Sequence, residues 1–318
     1  FGASRRLDGF KDQQIQVVAF SAMEASDNCR ICNSPTVLKW SSNIEQDITS
    51  DSFAITDTHY GQTSAIYKCS NCGYLQCNDL PDVLSYYEQL EDQDYEQGRK
   101  ERSLQAEALL RYLNSYISEG RLLDVGAGSG ILVNAALEKG FEAEGVEPSV
   151  WLQQQAAKLN LPVKRGVLKD LPVRELFDVI TLIDVIEHVT DPVGLLKEIG
   201  SRLAPDGYAL VVTPDCSSFF AKLLSRKWWH YRLAHIGYFN KDNLRRACLY
   251  TRLEVVKVNR PCWYFTMDYL WVRIMKYFPH WMRIEPMKWM KQITIPINLR
   301  DSLLVVMKHE GSTVHGSR

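Results

Sequence analysis

From Arg121 onward the apolar positions fall into short runs, and stretches of helical spacing lie between most of them. RLLDV, FEAEGVE, LPVKRGV, FDVITLID, YALVVTP, LEVVKVN and SLLVVMK read as strands. Runs this apolar suit strands covered on both sides, and their alternation with helices predicts an α/β fold built on a mostly parallel sheet with helices on both faces. Upstream, SLQAEALLRYLNSYI carries apolar residues at 104, 106, 109, 110, 113 and 117, the spacing of an amphipathic helix. The acid-, Gln- and Tyr-rich stretch before it reads as a helical connector.

Composition narrows the class without naming it. The chain has 318 residues, 46% hydrophobic and 24% charged, enough for a full core. Its 37 basic and 38 acidic residues leave a formal net charge of -1, so no global field favours nucleic acid. No apolar run reaches the ~18 to 20 residues of a membrane span, and the start lacks a secretion signal. A cytoplasmic location is the expectation. Residues 1–22 precede Met23 and read as a leader, and the tail GSTVHGSR is left out of the fold.

Four of the eight cysteines form two C-x-x-C pairs, Cys29 with Cys32 and Cys69 with Cys72. In a reducing compartment, paired knuckles suit a closed tetrahedral zinc, since each turn presents two thiolates on one side of the metal. A redox pair is the alternative. The 36 residues between the pairs can fold as a small β-sheet insert. Cys77, Cys216, Cys248 and Cys262 lack such spacing and read as buried or half-buried thiols.

The stretch LLDVGAGSG ends an apolar run in Asp124 and breaks into Gly126, Gly128 and Gly130, a strand turning tightly into a helix. Its spacing is G-x-G-x-G, and Ile131 stands where a dinucleotide fingerprint needs its third glycine, which argues against a nicotinamide enzyme. In an open α/β sheet, ligands bind beyond the carboxyl ends of the strands, where this loop, Glu147 of EGVEPS and Asp184 of VITLIDVIEH would converge.

Together LLDVGAGSG, EGVEPS, FDVITLIDVIEHVTDP and LKEIGSRLAPDGYALVVTPD resemble the successive motifs of class I S-adenosylmethionine-dependent methyltransferases, from about residue 100 to 260. The resemblance implies a Rossmann-like seven-stranded sheet, with the last strand antiparallel, and S-adenosylmethionine as cofactor. It also implies a binding set: Asp124, Gly126, Ala127, Gly128 and Gly130 around the methionine part, and Glu147 with Pro148 at the ribose. Val167 and Leu168 would lie where relatives meet adenine, and Asp184 with Val185 beside the methyl-bearing sulfur. A carboxylate suits two adjacent hydroxyls because each oxygen can accept one.

His188 follows the fourth strand, and DCSSFFAKLLSRKWWHYRLAHIGYFNKDNLRRA after the fifth holds His230, His235 and Tyr238. These four are the candidates for acid–base work, each equally open to a packing role. The H-x-x-Y-F run is similar to the zinc-ribbon branch linked to sugar or polysaccharide biosynthesis, which implies a sugar or a nucleotide- or lipid-linked glycan as the acceptor, methylated on oxygen or carbon. About forty residues separate the sixth and seventh strands, and they include WYFTMDYLWVRIMKYFPHWMRIEPMKWMK. The open readings are a lid, a peripheral membrane contact through 263–291, a dimer contact or ordinary core.

The expected organisation is a zinc ribbon over 23–80, a helical connector over 81–118 and a methyltransferase domain over 119–310, with aromatic-rich insertions at 216–240 and 262–298. An RNA methyltransferase is the rival enzyme, disfavoured by the balanced charge and by IDVIEH where an N-P-P-Y-like grip would stand. A binding module that kept the fold without catalysis is the rival outside enzymes.

Overall fold

The computed structural model describes residues 28–312 apart from 46–47, 57–59, 81–82 and 173–174. The leader assigned to 1–22 and most of the tail lie outside the described residues. Along the chain run β1 (Thr36–Trp40), β2 (Ile66–Cys69), β3 (Leu75–Cys77), α1 (Leu84–Glu88), α2 (Gln93–Gln97), α3 (Arg99–Leu113), β4 (Arg121–Val125), α4 (Ile131–Glu138), β5 (Glu142–Glu147), α5 (Val150–Lys158) and β6 (Val163–Arg165). There follow β7 (Phe177–Ile183), α6 (Pro192–Arg202), β8 (Leu203–Pro214), α7 (Phe219–Leu224), β9 (Gly237–Tyr238), α8 (Lys241–Cys248), β10 (Leu253–Asn259), β11 (Trp263–Thr266), α9 (Met267–Met275), β12 (Thr294–Ile297) and β13 (Ser302–His309).

Seven strands form the main sheet in the order β10-β13-β8-β7-β4-β5-β6, with β13 antiparallel to both of its neighbours. All seven strands expected from the sequence are present, and helices cover both faces. Neighbouring residues on each strand go to opposite sides. Leu122, Val179, Leu210 and Leu304 pack with α3 and α4, whereas Leu123, Ile180, Val211 and Val305 pack with α6 and α8. β6 is shorter than LPVKRGV suggested, and β8 begins earlier, at Leu203, which pairs with Phe177 across an irregularity in register.

A second sheet has the order β1-β2-β3-β9 and is antiparallel throughout. Its last strand comes from the 216–240 insertion, so residues far apart in sequence build one unit. Arg30 fastens the seam by donating to the carbonyls of Cys77 (2.6 Å) and Ile236 (3.3 Å). Beneath it, Phe53, Ile66, Leu75 and Leu80 share a core with Trp228, Tyr231, Ile236 and Tyr238. A third, two-stranded sheet of β11 and β12 lies in the 262–298 insertion and rests on α3.

Trp228 is wholly buried and meets the rings of Tyr231 at 5.3 Å and His230 at 4.9 Å edge-on. Trp228→Ala should therefore lower unfolding stability by about 3 to 5 kcal/mol, read from urea denaturation, because it removes a large buried ring and leaves a cavity between the small sheet and the insertion.

Candidate functional site

The turn after β4 is pinned to the end of β5. The amides of Gly126 and Ala127 both donate to the Val146 carbonyl (2.9 and 3.0 Å), and the Gly128 amide donates to Glu147 Oε2 (2.8 Å). Gly126 and Gly128 have φ of 73° and 54°. A Cβ on Gly126 would come within 2.6 Å of Val185, and one on Gly128 within 2.7 Å of the Tyr95 hydroxyl, so only glycine allows the backbone this close.

Glu147 is buried and also accepts the Ser149 amide through Oε1 (2.8 Å). Each of its oxygens keeps lone-pair capacity for one more donor. Burial pushes its carboxyl up to about 7, opposed by the two amides. Asp124 accepts the Thr181 hydroxyl (2.6 Å), and burial raises it to about 7 as well. Asp184 sits at the end of β7 with φ 54°, a left-handed conformation uncommon outside glycine and concentrated at sites where the surrounding fold enforces it. Burial raises it to about 6, with His230 and Arg102 opposing.

These groups face one cavity of about 1210 Å³ at the carboxyl ends of the strands. Of the expected residues, Asp124, Gly126, Ala127, Gly128, Glu147, Pro148, Val167, Leu168, Asp184, Val185, His188, His230 and His235 line it. Gly130 and Tyr238 do not. Gly130 caps α4 and faces Leu161 and Val163, and the Tyr238 ring is held in the core under the small sheet. Asp170 is taken up by the Val167 amide (2.9 Å).

The three cavity histidines differ in surroundings. The Ala234 carbonyl lies 2.7 Å from His188 Nδ1, which makes that nitrogen the donor and leaves the lone pair on Nε2; the Tyr87 hydroxyl is 2.5 Å from the same Nδ1. Burial lowers His188 to about 4 and holds His235 well below the usual range. Glu187 beside them is raised well above a normal carboxylate by burial and by Asp184, and it accepts the Thr213 hydroxyl (2.9 Å). Ligand atoms of Glu187, His188 and His235 lie within 4.8 Å of one another. His230 is more accessible, and its Nε2 is 3.5 Å from Oδ2 of buried Asp301.

The cover of the cavity comes from residues that no motif in the sequence marks. Tyr87, Leu90, Tyr95 and Arg102 from α1 to α3, together with Trp229 and Arg232, also line it. Arg102 stacks on the Tyr95 ring at 4.0 Å, and the Ser149 hydroxyl donates to the Leu90 carbonyl (2.8 Å), tying the connector to the sheet. The repeated tyrosines of SYYEQLEDQDY were the available signal.

The four knuckle cysteines converge. Their sulfurs lie within 4.8 Å of one another, with Cys29 against Cys72 and Cys32 against Cys69 at 3.5 Å. Backbone amides of Ile31, Asn71 and Cys72 point at the sulfurs of Cys29 and Cys69 (3.3 to 3.4 Å), donors that favour thiolates. The donor set therefore fits a closed four-sulfur metal site.

A family model described as "Methyltransferase domain" matches residues 97–258. The ubiquinone biosynthesis O-methyltransferase of Rhodopseudomonas palustris (strain HaA2) is 30% identical over 129 residues, 39% of this chain and 47% of that protein. Its counterpart in Bradyrhizobium diazoefficiens is 29% identical over 123 residues, 37% of this chain and 45% of that one. The matches thus span about half the length of these curated relatives. Among solved structures, a chain of the complex between the Haloferax volcanii Trm112 methyltransferase activator and its candidate methyltransferase is 18% identical, with a TM-score of 0.51 over 72% of this chain and 98% of that chain. That likeness concerns the fold.

Because Glu147 carries its proton to about 7 when folded against an ordinary 4.5, the folded state binds more protons between those values. Stability is therefore lost as pH rises through that window. Unfolding free energy of the ligand-free protein should fall from about pH 5 to about pH 8, and Glu147→Gln should remove up to about 3 kcal/mol of that fall.

Proposed function

The chain belongs to the family described as "Methyltransferase domain", and from that premise we propose that it transfers a methyl group from S-adenosylmethionine to an oxygen of a hydroxyl-bearing small molecule. The observation that carries this reading is the placement of Glu147 and the His230–Asp301 pair on the wall of one cavity. When bound, the cofactor supplies a methyl on a sulfonium that is already a good leaving group, so the protein's task is alignment and exclusion of water.

In this reading Glu147 accepts the two ribose hydroxyls with the lone pairs left after Gly128 and Ser149. Asp124 and the bare backbone at Gly126 and Gly128 hold the methionine part. Val167 and Leu168 border the adenine, while Asp184 and Val185 border the sulfur. His230 takes the acceptor's proton, and Asp301 orients the ring and balances its new charge. His188 and His235, which burial keeps uncharged at neutral pH, shape the wall and leave the base role to His230.

Oxygen as the methylated atom is supported by the relatives named O-methyltransferases. The rings of Trp229, Trp263 and Tyr269 on the cavity wall suit the flat apolar face of a sugar, so a sugar or linked glycan stays within the proposal. Four converging thiols and their amide donors support a structural zinc at the turns beside β2.

His230→Gln and Asp301→Asn should each lower kcat by roughly 10² to 10⁴ while S-adenosylhomocysteine binding by calorimetry stays near wild type. Release of S-adenosylhomocysteine with catechol and a nucleotide sugar as acceptor probes measures the first. No binding of S-adenosylhomocysteine to the unaltered protein would end the methyltransferase reading. For the metal, elemental analysis should give one zinc per chain, lost in Cys69→Ser with Cys72→Ser together with the cooperativity of unfolding.

A further inference from the structure

The insertion between β10 and β13 has two unlike sides. Inward, Trp263, Phe265 and Tyr269 form cavity wall, and the antiparallel pair of β11 and β12 is fixed to α3 by the Thr294 hydroxyl donating to Glu101 (2.8 Å). Outward, Ile274 at the end of α9 is exposed (53%), and the turns that follow it expose Trp281 (82%), Ile284 (65%), Met287 (63%) and Trp289 (49%). These side chains stand on a folded support. Trp271 Nε1 donates to the Ile284 carbonyl (2.7 Å), Arg283 Nε donates to the Phe278 carbonyl (3.0 Å), and the turn over Lys288–Gln292 packs on α9. An apolar surface held in water this way marks a docking face.

The charge around it points to the occupant. Residues 262–298 carry five Lys and Arg against two acids, in a chain whose formal net charge is -1. Lys276, Arg283 and Lys288 are exposed among the apolar residues, whereas the buried centre of a protein–protein interface is depleted of charge. Exposed tryptophans interleaved with basic residues match the headgroup layer of a bilayer, where the rings enter the apolar boundary and the cations meet acidic lipids. No helix of the described residues is long and apolar enough to cross a membrane.

We infer that this insertion seats the protein on an anionic lipid surface, and that the methyl acceptor is an amphiphile drawn from that surface into the cavity behind it. The second half rests on the methyl-transfer reading above; the first does not. The occupant has an apolar body that Trp281, Ile284, Met287 and Trp289 enter and a negative head that the lysines meet.

The test is co-sedimentation of the full chain with vesicles of phosphatidylcholine alone and of phosphatidylcholine enriched in phosphatidylglycerol, at low and high salt. Binding should require the anionic lipid and weaken with salt. Trp281→Glu with Ile284→Glu, and separately Lys276→Glu with Lys288→Glu, should each lower vesicle affinity at least about tenfold, with thermal unfolding and S-adenosylhomocysteine binding unchanged. Vesicle binding that is absent, or equal in the variants, overturns the docking proposal. So does a dimer in light scattering that Trp281→Glu dissolves, since a second copy would then cover the face. Because S-adenosylhomocysteine binding is measured on the same samples, loss of the methyltransferase reading is seen separately from loss of this one.

Discussion

Everything at the carboxyl edge of the main sheet depends on how the loop after β4 is held to the end of β5. Two amides share the Val146 carbonyl, and a third meets Glu147. The loop therefore has no freedom to collapse into the cavity, and the Glu147 carboxylate has no freedom to turn away from it. Val185 packs where a side chain on Gly126 would stand, so the end of β7 is registered against the same loop. One set of short bonds thus aligns three strand ends.

Much of this was legible in the chain because it is local. The seven strands follow from apolar runs, and the site's acids from their position at strand ends. The cavity's cover was not legible. Tyr87 and Tyr95 lie on helices of five residues each, too short for periodicity to announce a buried face, and their burial comes from packing over a loop that is remote in sequence. Nor could spacing separate the histidines. His188, His230 and His235 look alike as letters, and only the Ala234 carbonyl, the Asp301 carboxylate and unequal burial tell them apart.

The two insertions that the sequence marked as aromatic-rich play opposite parts. Residues 216–240 turn inward: Trp228, Tyr231 and Tyr238 are almost wholly buried, and their core carries His230 and His235 to the cavity. In residues 262–298 Met290 is the only buried large side chain. Similar composition folds differently because the first closes against the small sheet into a common core, whereas the second is held along its inner side, by α3 and by Arg273 and Tyr277 donating to the carbonyls of Thr56 and Lys227.

β9 completes a sheet whose other three strands precede the connector helices. During synthesis the knuckle cysteines and β1 to β3 leave the ribosome with an open edge at β3, and the strand that closes it is made only after most of the main sheet. Closure of that edge is a long-range step, and the last two strands of the main sheet, β10 and β13, are made later still. A late segment thus seals an early one, and a chain halted before residue 237 would leave the edge of β3 unpaired beside the knuckle cysteines.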